Sequence, residues 1–266
     1  MKSKQDWFQV LENCAEHVSY NQCLDSEPEL VDITIEENSY GRPVVSFCNM
    51  DNPGYDLSFE LILLGFAGKA GSGKDTARTE YTKHLMDAGK KTCPISFADT
   101  LKSICAVLTG SDLANFNDAE LKTKTNPVFD MTNRKIAQTV GTECFRDIFG
   151  EDVWAITVLQ NALQAMLVDF YYTENDEENV IPFYVLIADT RFANEANMIR
   201  QLGGQVVMVD REGHSNPAEV DSHRSEQLFP TEENDIVVQN TGSLENFQKS
   251  IKTLYDYLNV VLYQPR

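Results

Sequence analysis

Seven residues, Gly68-Lys69-Ala70-Gly71-Ser72-Gly73-Lys74, carry the clearest chemistry in the chain. Glycines at this spacing let the backbone curl until several N–H groups point inward, which suits them to phosphate oxygens. The apolar run Leu61 to Ala67 precedes the stretch, and a helical pattern begins near Lys74, so the motif stands at a strand-to-helix turn. The start of that helix adds its positive dipole end. Lys74 brings a full positive charge to the β and γ phosphates of a nucleotide. Lys69, Gly71, Ser72, Gly73, Lys74, Asp75 and Thr76 form the expected cradle. Asp75 departs from the usual pattern. It stands where such loops place a hydroxyl on Mg²⁺, and Thr76 comes one residue late. Two uses of Asp75 remain open: holding Mg²⁺ through water, or capping the helix.

A second group of residues closes another apolar run, Val185-Leu186-Ile187-Ala188-Asp189-Thr190-Arg191. An acid at the end of a buried strand lies near the phosphate loop, so Asp189 is the expected partner of Mg²⁺ or its water shell. Arg191 faces the same crevice, and Glu195, one helical turn on, is placed to orient it. Lys74, Asp189 and Arg191 are the expected catalytic residues, with Asp75 and Asp189 on the metal. The polar stretch from Arg211 to Glu226 follows a further strand and holds two arginines. It reads as a lid that excludes water from a bound nucleotide and brings Arg211 to it. The four histidines, His17, His84, His214 and His223, sit in unrelated contexts, and no His–carboxylate pair suggests a general base.

These residues need a scaffold, and the hydrophobic pattern supplies one. Strands are expected at Leu61–Ala67, Pro94–Ala98, Phe183–Ala188, Gln205–Val209 and Asp235–Gln239. Helices are expected from Lys74 to Ala88, Asp99 to Leu108, Asn133 to Phe149, Val153 to Phe170, Phe192 to Leu202 and Ser243 to Leu262. Residues 109–132, 174–179 and 211–233 read as polar loops. Five strands alternating with helices predict an α/β fold: a doubly wound, parallel five-stranded sheet flanked by helices, over residues 61–266. Residues 1–60 read as a small acidic extension. It contains a helix starting at Trp7-Phe8-Gln9-Val10-Leu11 and a hairpin pairing Val31–Ile35 with Pro43–Phe47.

The chain has 266 residues and a formal net charge of −19, with 22 Lys and Arg in all. Twelve Asp and Glu against three Lys and Arg fall in residues 1–60. So acidic a chain is not suited to a broad nucleic-acid face; a small polyanion would need a local basic pocket. Candidate cations for one include Lys102, Arg134, Arg146, Arg211 and Arg224. Six cysteines without a CxxC pair argue against disulfide and zinc frameworks and fit a reducing cytoplasm. The first residues lack the apolar core of a signal peptide, and no run approaching 18 apolar residues is evident, so no membrane span is expected.

The segment from Arg134 to Glu143 (RKIAQTVGTE), followed by Arg146 and Asp152-Val153-Trp154, resembles the bacteriophage-encoded deoxynucleoside monophosphate kinases. So do Gly73-Lys74-Asp75-Thr76, the strand end Asp189-Thr190-Arg191 with Glu195, and the tail from Asp235 to Leu244. The resemblance covers about residues 61–262; residues 1–60 match nothing in it. It implies phosphoryl transfer from ATP, with Mg²⁺, to a deoxynucleoside 5′-monophosphate, in a cytoplasm that would be the host's for a phage-encoded chain. It implies that Arg134, Gly141, Thr142 and Trp154 shape the acceptor pocket, Trp154 stacking on base or sugar. Asp189, Arg191 and Glu195 would lie near the acceptor phosphate and metal, and Lys102 would reach that phosphate. ATP and the monophosphate are the expected partners, with a homodimer among the open assemblies. Two rival readings stand beside it: a related kinase for another phosphorylated acceptor, such as dephospho-coenzyme A, and a nucleotide-binding interaction module without transfer activity.

Overall fold

The structure is a computed structural model of the chain, and it describes residues 1–20, 31–50, 55–173, 180–211 and 229–262. The expected acidic loop at 174–179, most of the expected lid, Arg224, His214 and His223 lie outside the described residues.

Helix α1 spans Lys4–Tyr20, and strands β1 (Val31–Glu37) and β2 (Pro43–Asn49) form the expected antiparallel hairpin. Strand β3 runs Asp56–Ala67, longer than its apolar stretch, and leads through the glycine-rich turn into α2 (Lys74–Asp87). Then come β4 (Lys91–Ser96) and α3 (Asp99–Thr109). Residues 110–132 are more ordered than a loop: a short helix α4 (Ala114–Asn117), a 3₁₀ turn (Leu121–Thr123) and a two-residue hairpin of β5 (Thr125–Asn126) and β6 (Met131–Thr132). Helix α5 (Asn133–Gln138) passes into a π-helical stretch (Thr139–Arg146) and a last turn, α6 (Asp147–Phe149). Helix α7 (Val153–Tyr172), β7 (Ile181–Thr190), α8 (Ala193–Gln201), β8 (Gln205–Asp210), β9 (Ile236–Gln239) and α9 (Leu244–Val261) complete the chain.

The sheet is mixed and seven-stranded, larger than expected: the five expected strands, β3, β4, β7, β8 and β9, pair in parallel with one another, and the hairpin adds β1 and β2 antiparallel. Strand β3 organises it. One edge of β3 pairs in parallel with β7, from Phe59↔Ile181 to Ala67↔Thr190, and β4 lies beyond as an edge strand. The edge position lets β4 tolerate Pro94, which has no N–H to give a central strand. The other edge of β3 is shared. Its first half takes β2 antiparallel, from Val44↔Glu60 to Cys48↔Asp56, and its second half takes β8 parallel, from Leu64↔Gln205 to Ala67↔Met208. The hairpin of the acidic segment thus continues the same sheet. The continuous apolar run in β3 reflects burial on both faces.

Two cores cover those faces. On one, α2 and α9 pack Tyr81, Leu85, Phe247, Ile251 and Leu258 against Ile62, Leu64 and Phe66. On the other, α7, α8 and α1 cover Leu61, Leu63, Phe183 and Val185. Helix α1 contributes Trp7, Leu11, Cys14, Ala15 and Val18, a stripe at helical spacing. Helix α7 is long and apolar enough by composition to cross a membrane, although Gln160, Asn161 and Gln164 interrupt its apolar run. Its apolar face, from Trp154 to Phe170, is core, packed against the sheet and α1.

Candidate active site

The glycine-rich turn is built by backbone conformations that side chains resist. Gly71 and Gly73 have φ of 75° and 98°, left-handed values, and a Cβ on Gly73 would lie 2.5 Å from Asn240 Nδ2. That amide donates to the Ser72 carbonyl at 2.7 Å, so the segment after β9 braces the turn from outside. Arg211 Nη1 stands 3.5 Å from the Gly71 carbonyl. The Ser72 hydroxyl is buried with no hydrogen-bond partner among the described residues. A donor placed so, inside a curl of N–H groups at a helix start, fits a phosphate oxygen. Gly73, left-handed and without a side-chain bond, is the cap of α2; Asp75 lies within the first turn, 68% exposed. Capping, one of its two open uses, is therefore not what Asp75 does here.

At the other side of β3, the register against β7 slips: Gly65 faces Ile187, but Ala67 faces Thr190. One extra residue on β7 makes a bulge, and within it Asp189 has φ of 58°. A bulge re-aims a side chain that would otherwise follow the pleat. Asp189 points at the phosphate loop, its Oδ1 3.1 Å from Lys74 Nζ and 3.2 Å from Arg191 Nη2. Burial alone would raise the Asp189 carboxyl; Arg191 and Lys74 outweigh that and hold it well below the usual carboxylate range. Lys74, itself buried, lies between Asp189 and the Asp75 carboxylate at 3.9 Å.

These groups open onto a cavity of about 440 Å³. Lys74, Lys102, Lys122, Arg134, Arg146 and Arg191 all line it, six of the 22 cationic residues of a chain with net charge −19. Burial and the nearby guanidinium groups of Arg134 and Arg191 push the Lys122 ammonium down, the mark of crowded like charge. Neither Lys102 nor Lys122 has an ion-pair partner among the described residues. Phe97, Leu101, Phe116 and Trp154 give the cavity an apolar wall, and Asn117, Asn133, Gln138 and Thr142 give it neutral polar groups.

Trp154 lies in that wall at 3% exposure, and its indole Nε1 donates to the Gly141 carbonyl at 3.0 Å. The carbonyl belongs to the π-helical stretch, whose wider turn brings Gly141 and Thr142 to the cavity. Gly141 passes so close to α3 that a Cβ would sit 2.7 Å from Leu101 Cδ2. Glu195 is buried. Its Oε2 accepts from the backbone N–H of Arg191 at 2.8 Å and of Phe192 at 3.1 Å, and its Oε1 pairs with Arg146 at 2.5 Å. It therefore holds the backbone of Arg191. Burial pushes the Glu195 carboxyl up, against the pull of Arg146 and the two backbone donors. The Arg146 guanidinium also lies 3.8 Å from the Phe192 ring centroid.

Of the residues expected from sequence, Gly71, Lys74, Asp75, Lys102, Arg134, Gly141, Thr142, Trp154, Asp189, Arg191 and Glu195 line this one cavity. Lys69, Ser72, Gly73, Thr76 and Arg211 do not line it; they build or flank the turn beside it. Lys122, Phe97, Phe116, Asn117 and Asn133 were missed. Lys122, Phe116 and Asn117 sit in the stretch read as loop, where only the charge of Lys122 offered a signal.

A glycine cradle at the end of a central strand, facing a cationic cavity, defines an α/β protein that handles phosphates. A family model described as deoxynucleotide monophosphate kinase matches residues 91–251. A protein of Acanthamoeba polyphaga mimivirus, described as a candidate deoxynucleotide monophosphate kinase, is 33% identical over 199 residues, 74% of this chain and 97% of that protein. The deoxynucleotide monophosphate kinase of Escherichia phage RB69 is 30% identical over 121 residues, 46% of this chain and 43% of that enzyme. That of Enterobacteria phage T4 is 28% identical over 138 residues, 47% of this chain and 56% of that enzyme, so the alignments span about half of each phage enzyme. This chain belongs to the deoxynucleotide monophosphate kinase family.

Proposed function

We infer that the chain transfers the γ-phosphoryl group of ATP to a deoxynucleoside 5′-monophosphate, giving the diphosphate and ADP, at the cavity between the glycine-rich turn and α5. Family membership carries the reaction class and the use of a nucleotide with Mg²⁺. The observation that carries the location is the convergence of six cations and Asp189 on one cavity beside that turn.

In this reading an oxygen of the acceptor phosphate attacks the γ phosphorus of ATP, the bond to the β-phosphate oxygen breaks, and ADP leaves. The acceptor phosphate is already dianionic near neutral pH, so alignment and charge neutralisation carry the rate, and no general base is needed. The turn from Gly68 to Gly73 and the Ser72 hydroxyl hold the ATP phosphates, with Lys74 on the β and γ groups. Arg191, fixed through its backbone by Glu195, stands between the acceptor phosphate and the transferring group, together with Lys102 and Lys122. Arg134, Gln138 and Thr142 take the acceptor, against the wall of Phe97, Phe116 and Trp154. Among the described residues no three acidic, His or Cys side chains form a metal cage. A divalent ion would arrive with ATP, spreading phosphate charge, with Asp189 and Asp75 the protein's carboxylates nearest that position.

The test is ADP release with ATP, Mg²⁺ and each of dAMP, dCMP, dGMP and dTMP, beside their ribose counterparts and dephospho-coenzyme A. Acceptor-dependent release is expected with at least one deoxynucleotide. Lys74→Ala should lose nearly all of it, and Arg191→Ala should fall by about a thousandfold, as other transition-state arginines do. ATP binding with no acceptor-dependent release would favour a binding module. Release with dephospho-coenzyme A alone would move the acceptor pocket to another substrate.

A further inference from the structure

The acidic segment ahead of β3 has no role in the reading above, yet it meets the site from behind. About a quarter of this chain falls outside the alignment that covers 97% of the mimivirus protein. Just before α1, the Lys2 ammonium pairs with Asp152 Oδ2 at 2.5 Å, and the Lys2 carbonyl accepts from Asn197 Nδ2 on α8 at 2.8 Å. The same ammonium lies 5.5 Å from the ring centroid of Trp7, which is fully buried under α7 and α8. Asp152 stands at the start of α7, two residues before Trp154.

From Asp152 the hydrogen bonds run without a break to the transfer arginine. Asn194 Nδ2 donates to Asp152 Oδ1 at 3.0 Å and to the Glu151 carbonyl at 2.8 Å. Arg146 Nη1 donates to that same carbonyl at 2.6 Å, and Arg146 Nη2 reaches Glu195 at 2.5 Å. Glu195 then holds the backbone N–H of Arg191. The outer links are half-exposed and the Arg146–Glu195 end is buried, where each group fixes the next in a medium of low dielectric.

We propose that Lys2 is a positioning residue for the acceptor side of the site: through Asp152 and Asn197 the segment preceding α1 braces the Arg146–Glu195–Arg191 network. The proposal rests on the acceptor-side reading given above. Lys2 does not line the cavity, and the hydrogen bonds that start from it end at the backbone of Arg191 and not at the glycine-rich turn, so its effect belongs to acceptor binding rather than to ATP.

The test is steady-state kinetics of the C-terminally tagged full chain, with the best acceptor of the panel and with ATP each varied in turn. Lys2→Met is expected to raise KM for the acceptor about two- to fivefold, the worth of one half-buried ion pair, with KM for ATP unchanged. Lys2→Arg, which keeps the charge, should restore most of the loss. Asp152→Asn should give a similar rise, and the double variant should be no worse than either single change. Acceptor KM unchanged in Lys2→Met, or equal rises for both substrates, would overturn the proposal. So would a lower thermal midpoint with KM intact, which is what a merely structural pair would give. Arg191→Ala separates the two readings: if it is near normal, the site assignment fails; if it is crippled while Lys2→Met is silent, the brace alone fails.

Discussion

Asp189 concentrates the residue-scale argument. A left-handed backbone costs most side chains about 1–2 kcal/mol, and Asn and Asp tolerate it best. Asp189→Asn therefore keeps the bulge while removing the charge, whereas Asp189→Ala would disturb both. The expected outcome of Asp189→Asn is a fall in kcat of about a hundredfold, the scale of losing one charge-placing group, with the circular dichroism spectrum unchanged. Its pH behaviour follows from the sign of the shift. The ordinary Asp value is 3.8, and the folded value lies lower. The stability this carboxylate contributes is thus complete above the ordinary value and is lost only as pH falls through the depressed one. An acid limb of activity in the mildly acidic range should then be shared by wild type and Asp189→Asn; a limb that vanished in the variant would show Asp189 titrating there. Asp189 and Arg191 were legible in the sequence because they end an apolar run, and a strand's carboxyl end is where ligands meet such sheets. The bulge was not legible, since its extra residue is defined only by the register of β7 on β3.

At the scale of elements, the π-helical stretch does what no sequence pattern announced. Residues 133–149 carry the period of one regular helix, and the pattern predicts one. The widened turn arises from fit: Gly141 slides under Leu101, and its freed carbonyl takes the indole N–H of Trp154 from the next helix. Trp154→Phe keeps the apolar bulk and removes that donor. The carbonyl left buried should cost about 1–3 kcal/mol in urea unfolding, and KM for the acceptor should rise as Gly141 and Thr142 lose their anchor. Unchanged stability in Trp154→Phe would show that the bond contributes nothing. The helices and strands themselves were mostly legible, because a chain with this much apolar periodicity has few other solutions. Residues 110–132 were not, since side chains organise them: Asn133 Nδ2 donates to the Leu121 carbonyl, and Asn126 receives the Val128 N–H. The first of these ties the turn of Lys122 to the start of α5 beside the cavity, a link that charge alone does not announce.

At the scale of the whole molecule, the acidic segment and the site share one sheet and one core. Strand β2 pairs with β3 below the point where β8 takes over, and Trp7 packs in the same cluster as Trp154. The buried Arg42–Glu60 pair, 2.7 Å apart, adds a tie: Arg42 also donates to the carbonyls of Gly203 and Leu262, binding the hairpin to the end of α8 and of α9. A chain joined this way should unfold as one cooperative unit. The two tryptophans make that measurable. In Trp7→Ala the only remaining indole reports from the cavity wall, while the change lies in the acidic segment. Emptying so large a buried site should cost about 3–5 kcal/mol. One cooperative unit requires the Trp154 fluorescence transition to move to lower urea by that full amount, coincident with the far-ultraviolet circular dichroism. Were residues 1–60 an independent module, Trp154 would keep its wild-type midpoint, and an earlier, smaller transition would appear in circular dichroism alone. A shared transition would make the segment part of the catalytic unit's own stability. The ion pair of Lys2 with Asp152 would then act on a framework already continuous with the site.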